Sequence, residues 1–412
     1  DLQPGADYQV DNFQGRLILS DALSIVTRDG LPRLSRDTPL DGYTQVLLVD
    51  YEYLPTGFNP AEVTAGVRAK HWFGDHVGVG ATYVDENRAG DDYTLASADL
   101  TLQAGRGTYV KVERARTEST SAPVFYSENG GLTFAELNSG LGARRQGDAT
   151  SVEARVNFKE MGWTALDWSA GAWMRRVDAG YSIARYDTGE EVREHGAEFR
   201  GQLSPDIDLY GRYSRAERGA EYLEQSQLTG EWRITDVDTL SAELRRVDEN
   251  RYTGQGIGTL GALQYKRRFG NMLDLYGTAQ VTLDDDGGKY ESNDAVTLGG
   301  NYQFGNLSSV GAEVTQGDRG DAAQVNAEYR LTPDHSIYGN YTFTNATSSS
   351  YDSLFSPTQR DGWTLGQRWR LSNQVNVFNE SQYLKAPNET GLAHTFGMDF
   401  YPAVGWNAGF TL

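Results

Sequence analysis

The feature that most constrains this chain is strict alternation of apolar and polar residues, repeated in one hairpin unit. In Arg330 to Phe343 (RLTPDHSIYGNYTF) a run ends at Leu331 and Thr332-Pro333-Asp334 makes a turn. Beyond it Ile337, Gly339, Tyr341 and Phe343 face one way, and Ser336, Tyr338, Asn340 and Thr342 the other. A period of two belongs to a β-strand, not to a helix. QLSPDIDLYGRYS from Gln202 and RFGNMLDLYGTAQ from Arg268 repeat the unit. The residue before the turn recurs at Leu203, Ile234, Phe269, Phe304, Leu331, Leu371 and Tyr401. Repetition of one hairpin predicts a continuous antiparallel sheet rather than several globular domains.

Such a sheet needs somewhere to put its two faces. Only 38% of the residues are hydrophobic, yet aromatics reach 11%, with 24 Tyr and 8 Trp. The mean hydropathy of -0.56 is thin for a large soluble core. No apolar run is long enough for a transmembrane helix, but a membrane barrel needs only short strands with one apolar face. One face carries full charges of both signs: Lys111 and Glu113, Glu153 and Arg155, Asp206, Asp208 and Arg212, Glu243 and Arg245. That face wants water. Aromatics gather near the turns at Trp72, Phe73, Trp163, Trp232, Phe269, Phe304, Trp369, Phe400 and Tyr401, as in interfacial girdles. The pattern predicts an all-β fold, a large antiparallel up-and-down transmembrane β-barrel of about 20–22 strands. A closed ring also removes the long edges of an open sheet. The rival is a soluble β-repeat adhesin.

Residues 1–42 lack the hairpin rhythm and hold the mixed segment RDGLPRLSRDTP. They read as a lead-in, periplasmic or partly plugging the barrel, with the barrel at 43–412 beginning at Tyr43–Tyr53. The first residue is Asp, so a mature or excised segment is expected. Short connections such as Gly74-Asp75, Gly105-Arg106 and Gly270-Asn271 alternate with longer ones near 120–146, 178–191, 284–292 and 346–360. The short side is expected to be periplasmic. Counting strands from Tyr43 gives about 21, an odd number. Val404–Leu412 is then expected to be an open edge awaiting further strands or a partner chain.

The alternation sorts the candidate residues. Lys111, Glu113, Glu153, Arg155, Tyr210, Arg212, Tyr276, Gln280, Tyr338 and Asn340 are expected to line the lumen. Trp168, Trp232, Leu275, Phe304, Ile337, Phe343 and Trp369 are expected to face lipid or the girdle. No catalytic residue, cofactor or metal site is expected. The five His are scattered, and Gly256-Ile257-Gly258-Thr259-Leu260-Gly261 opens a strand, where no helix terminus can hold a pyrophosphate. The acidic clusters Asp284-Asp285-Asp286 and Asp318-Arg319-Gly320-Asp321 lack calcium-loop spacing and read as solvated loops. The net charge of -20 disfavours nucleic acid as a partner.

Gly15 to Ile25 (GRLILSDALSI), Leu48–Tyr53 (LVDYEY), Gly66–Asn87, Ala98–Glu118 and Phe125–Phe134 together look like a known arrangement. The chain resembles the C-terminal barrel of very large multidomain outer-membrane surface proteins of proteobacteria. In that group a long region of repeated β-domains precedes a many-stranded barrel. The resemblance implies a Gram-negative outer membrane, with its lipid and lipopolysaccharide as partners, and carries over no functional residue. Residues and resemblance together predict a wide polar-lined pore serving transport, translocation or the anchoring of surface domains. The nearest alternative is a porin-like or polysaccharide-export channel.

Overall fold

A computed structural model describes residues 8–11, 16–19, 34–37, 39, 64–88, 91–120, 124–126, 135–137, 144–181, 190–251, 254–305, 308–345, 361–385, 390–403 and 406–411. Two small hairpins stand apart from the main sheet. One pairs β1 (Tyr8–Asp11) with β2 (Arg16–Leu19), and the other pairs β7 (Val124–Tyr126) with β8 (Ala135–Leu137).

The main sheet opens with β3 (Thr64–Phe73), β4 (Val77–Arg88), β5 (Asp91–Gly105), β6 (Thr108–Thr120) and β9 (Arg144–Asn157). It continues through β10 (Trp168–Val177), β11 (Val192–Ser204), β12 (Ile207–Arg218), β13 (Glu221–Arg233) and β14 (Asp238–Arg251). Then come β15 (Gly254–Phe269), β16 (Leu273–Asp284), β17 (Ala295–Phe304), β18 (Ser308–Gly317) and β19 (Gly320–Thr332). The last strands are β20 (His335–Thr344), β21 (Asp361–Ser372), β22 (Val375–Lys385), β23 (Thr390–Ala403) and β24 (Trp406–Thr411). Each pairs with its chain neighbours in this sheet, and β24 lies beside β3, so the ring is closed.

Closure corrects the expected open edge at Val404–Leu412: the strand there is paired on both sides. The arithmetic is physical. A ring in which every adjacent pair is antiparallel needs an even number of strands, and the described barrel has twenty where about 21 were expected. The expected first strand, Tyr43–Tyr53, lies outside the described residues; β3 takes the place beside β24. β3 runs toward the tight-turn rim and β24 runs away from it.

Local chemistry sets the turns. In Phe73-Gly74-Asp75, Phe269-Gly270-Asn271 and Phe304-Gly305 the glycine has φ of 61, 60 and 56° respectively, a region that a side chain disfavours. The division into short and long rims is looser than the spacing implied. The tight-turn rim carries one long connection, 158–167, and the other rim has tight turns at Gly219-Ala220 and Asp318-Arg319.

The sheet's two faces differ as alternation requires. Large apolar side chains stand exposed all round the outside, among them Val79, Leu100, Val112, Met174, Leu228, Leu244, Leu298, Val314, Ile337 and Leu365. Polar side chains fill the inside. With backbone bonds closed around the ring, the outer face meets hydrocarbon mainly with apolar side chains, and Gln367, Asn379, Ser381 and His394 form a polar row on that face of β21–β23. This is a transmembrane β-barrel, and its exterior excludes the soluble adhesin.

Candidate functional site: a luminal latch

Inside the ring, the short segment Leu34–Asp37 is held against the wall formed by β14, β16 and β18. Leu34 and Ser35 are each 1% exposed, although both lie more than two hundred residues from their partners. Glu243 on β14 accepts the Leu34 N–H at 2.7 Å, the Ser35 N–H at 3.1 Å and the Ser35 hydroxyl. From its own side Gln227 donates to the same carboxylate at 3.0 Å and Thr229 at 3.2 Å. These five donors exceed the roughly four lone-pair sites of a carboxylate, so the three that converge on Oε2, from Leu34, Gln227 and Thr229, share its two.

The next residue carries the strongest contact. Arg36 forks onto Glu313 of β18, with Nη1 to Oε1 at 2.7 Å and Nη2 to Oε2 at 2.6 Å. Tyr276 and Gln324 also donate to Glu313, so the carboxylate is fully engaged. Gln280 on β16 reads the Arg36 backbone in both directions, accepting its N–H at 2.6 Å and donating to its carbonyl at 3.1 Å. The Asp37 carboxylate takes both terminal nitrogens of Arg245 at 2.9 and 3.1 Å, and Arg245 is wholly buried. Two opposite ion pairs in register fix the segment's direction along the wall. Each residue ordered costs about 1–2 kcal/mol of backbone entropy. Bonds to charged groups return about 1.5–3 kcal/mol each, so the segment is bound rather than merely adjacent.

The β16–β17 connection closes over the latch. Asn293 donates to the Arg36 carbonyl, while its own carbonyl accepts from Gln280 at 2.6 Å. Arg319 donates to the Asp37 carbonyl at 3.0 Å and to the Glu291 carbonyl at 2.7 Å. Its guanidinium lies 5.0 Å from the ring centre of Tyr290. Tyr290 packs with Val247 and Leu260 in a small apolar cluster inside the lumen. Gly256 and Gly258 leave it room: a Cβ on Gly256 would fall 2.7 Å from the Tyr290 backbone. Burial pushes the Tyr290 hydroxyl above the usual tyrosine range, with Arg319 opposing.

The expected lumen residues all sit on the inner face by strand parity. Gln280 and Tyr276 belong to the latch seat. Tyr338 donates to Glu380 at 2.6 Å beneath Arg368, and Asn340 lies between Asn326 and Thr364 on the neighbouring strands. Lys111 lies over Tyr109, which donates to Glu153. Glu113 stands opposite Asp99, Arg155 opposite Gly171, Tyr210 opposite Thr229, and Arg212 covers Trp173. Tyr210 and Arg212 border the latch seat, opposite Thr229 and Gln227, while Lys111, Glu113, Glu153 and Arg155 lie on β6 and β9, outside the strands that hold the latch.

Outside, Trp168 stacks on Phe199, Phe304 lies between Tyr302 and Tyr329, and Trp369 stacks on His335. Trp232, Leu275, Ile337 and Phe343 are exposed on the same outer face. Trp72 departs from the expected girdle. It shares parity with Lys70, which lies over its ring and pairs with Asp99, so it faces inward. The residue type suggested a girdle position; parity decides otherwise.

The sequence marked residues 1–42 as a lead-in, periplasmic or partly plugging the barrel, without singling out Leu34–Asp37. Glu243 and Arg245 stood out only as charges on the watery face. The usable signal was the clustering of Arg36 and Asp37 in a proline-flanked segment opposite a wall of mixed charge. Gly256 and Gly258, part of the run that opens a strand, leave space that Tyr290 fills.

No family model matches the chain, and no curated protein matches it. Solved structures do. The fold is similar to a mutant of the ferric enterobactin receptor of Pseudomonas aeruginosa in complex with enterobactin, with TM-score 0.51 and 8% identity over 84% of this chain and 72% of that one. A second mutant of that receptor gives TM-score 0.51 and 9% identity over 85% and 72%. The ferric-catecholate import receptor Fiu from E. coli K12 gives TM-score 0.49 and 9% identity over 84% and 75%. At such identity the likeness is one of fold. That fold is the outer-membrane β-barrel, and the apolar exterior of this chain places it in a bacterial outer membrane.

Proposed function

We propose that the chain is an outer-membrane transport barrel whose lumen is narrowed by its own Leu34–Asp37 segment and opens when that segment leaves the wall. The supporting observation is the Arg36–Glu313 and Asp37–Arg245 pairing inside a polar lumen. A barrel of this strand number is wide enough to need an obstruction if the envelope is to stay sealed. Structures of similar fold are named as ferric enterobactin receptors, and the polar and charged lining here suits a polar solute. The reading assigns no catalytic residue.

Single-channel recording in planar bilayers tests it. The Arg36→Ala/Asp37→Ala chain should show larger or more frequent openings than the wild type. Equal currents in the two would rule out the latch as an obstruction. A barrel that only anchored surface domains would conduct in neither form.

A further inference from the structure

The apolar exterior is interrupted on β21, β22 and β23. On β21 the outward residues run Trp363, Leu365, Gln367 and Trp369 toward the tight-turn rim, and on β22 those opposite are Tyr383, Ser381, Asn379 and Val377. On β23, Phe396 lies opposite Asn379 and His394 opposite Ser381. Gln367, Asn379, Ser381 and His394 therefore share one polar patch three strands wide. Aromatic rings mark its height. Trp363 stacks on Tyr383 to one side of it, and Trp369 stacks on His335 to the other. Such rings sit at the two membrane interfaces, so the patch lies in the hydrocarbon band between them. Elsewhere round the ring the same band shows residues such as Leu100, Val112, Leu244, Leu298 and Val314.

The patch is only half satisfied within its own chain. The Gln367 side-chain oxygen accepts from His335 Nε2 at 3.1 Å, which leaves the amide hydrogens of Gln367 over. The Ser381 hydroxyl and His394 Nδ1 share a hydrogen bond of 2.6 Å, which leaves His394 Nε2 over. The Asn379 carboxamide has no hydrogen bond among the described residues. Hydrocarbon offers such groups no partner, and leaving them unpaired in it is costly. Another protein surface in the membrane can supply the missing bonds.

The chemistry selects the occupant. No Asp, Glu, Lys or Arg stands in the patch. Asn, Gln and Ser each carry a donor and an acceptor, as does an uncharged imidazole. Groups of this kind can pair with copies of themselves, which like charges cannot. Two chains inserted the same way in one membrane are related by an axis along the membrane normal, and an isologous contact then sets the patch against its own copy. Asn379 lies on the middle strand of the three, beside Gln367 and next to Ser381, so it falls nearest that axis. Leu365, Phe396 and Met398 stand exposed around it and supply apolar contact. We propose that the outer face of β21–β23 is the contact between two copies of this chain, with the two Asn379 carboxamides paired across the axis. The assignment rests on the exterior alone and is independent of the latch.

The absence of cysteine from the chain makes a direct test possible. In lipid vesicles treated with copper phenanthroline, Asn379→Cys should form a disulfide-linked dimer at least about ten times faster than Leu228→Cys, which faces outward on β13, nearly across the ring. Sedimentation equilibrium in detergent should find a dimer of the wild-type chain. Gln367→Leu/Asn379→Leu should raise its dissociation constant at least about tenfold. That variant should keep SDS-resistant, heat-modifiable migration, the sign of an intact barrel. A wild-type chain that stays monomeric, equal disulfide rates at the two cysteines, or an unchanged dissociation constant in the folded double variant would overturn the proposal. So would capture of Asn379→Cys in whole outer membranes by a protein of different mass in place of its own copy. If the leucine variant fails to fold, the two cysteine rates, read on heat-modifiable chains only, decide the matter alone.

Discussion

The two faces of the wall tolerate substitution differently, and position along the strand sets how much. Leu244 lies midway along β14 on the outer face and is exposed there, between Leu228 and Gly261 on its neighbours. Leu244→Arg should destabilise the barrel by about 2–4 kcal/mol, read as unfolding by urea from lipid vesicles. Leu275 is only the third residue of β16 from the tight turn. Arginine there can reach the interface, and the cost should fall to about 0–1 kcal/mol. Equal costs at the two sites would mean that the hydrocarbon band is not centred on mid-strand. At the inner wall, Arg36 and Glu313 are both nearly buried. Removing one partner leaves a charge stranded, a loss of about 3–5 kcal/mol where such a pair is broken. Arg36→Ala and Glu313→Gln should each release the segment, and the double variant should lose far less than the sum. An additive double-mutant cycle would show that the two do not act on each other. Residue facing was legible in the sequence because parity is local. Ile337 and Phe343 on one side and Tyr338 and Asn340 on the other follow from two-residue periodicity alone. Trp72 shows the limit: its type suggested a girdle, but its parity with Lys70 puts it inside.

At the scale of elements, the β16–β17 connection and the latch form one unit. Tyr290 anchors the connection in the lumen, Asn293 and Arg319 reach from it and from its neighbour to the backbone of Arg36 and Asp37, and Gln280 joins both. Releasing the connection should therefore loosen the latch without touching either ion pair. The absence of cysteine from the chain makes this measurable. A Ser35→Cys probe should react slowly with a water-soluble maleimide, and faster once Tyr290→Ala is added. Unchanged labelling would uncouple the two elements. Alkaline pH should act the same way. The neutral Tyr290 phenol is favoured by its buried site, so its contribution is complete below the ordinary tyrosine range and is lost as pH rises through the raised value. Divided by the rate of a free cysteine at the same pH, labelling of Ser35→Cys should rise once pH passes above the ordinary tyrosine range, and should not do so in Tyr290→Phe. Little of this was legible beforehand. Strand pairs and tight turns announce themselves through short-range pattern, as Phe269-Gly270-Asn271 does. A segment that docks on strands more than two hundred residues away leaves only its own composition as a trace.

The whole ring depends on an even strand number and on a last strand that is short. β24 spans six residues and meets β23 across a register shift between Phe400 and Ala403, yet it provides the seam to β3. The number of strands was nearly legible from the repeat, but closure was not, because pairing of β24 with β3 joins segments at opposite ends of the chain. A count of about 21 is odd, and its parity implied an edge that the ring of twenty described strands does not have. The seam gives the last prediction. Interior pairs such as β14 with β15 are in register over fourteen residue pairs, so each isolated hairpin has ample backbone bonding of its own. What the seam adds is the absence of an edge, since one missing strand exposes two rows of unpaired N–H and C=O groups to hydrocarbon. Deleting 406–412 should therefore leave the β-content seen by circular dichroism nearly unchanged while abolishing SDS-resistant migration. A chain so shortened that still migrates as a heat-modifiable monomer would show that β23 and β3 can close the ring without β24. Nineteen strands cannot do so with every pair antiparallel, so that result would require one parallel pair at the seam.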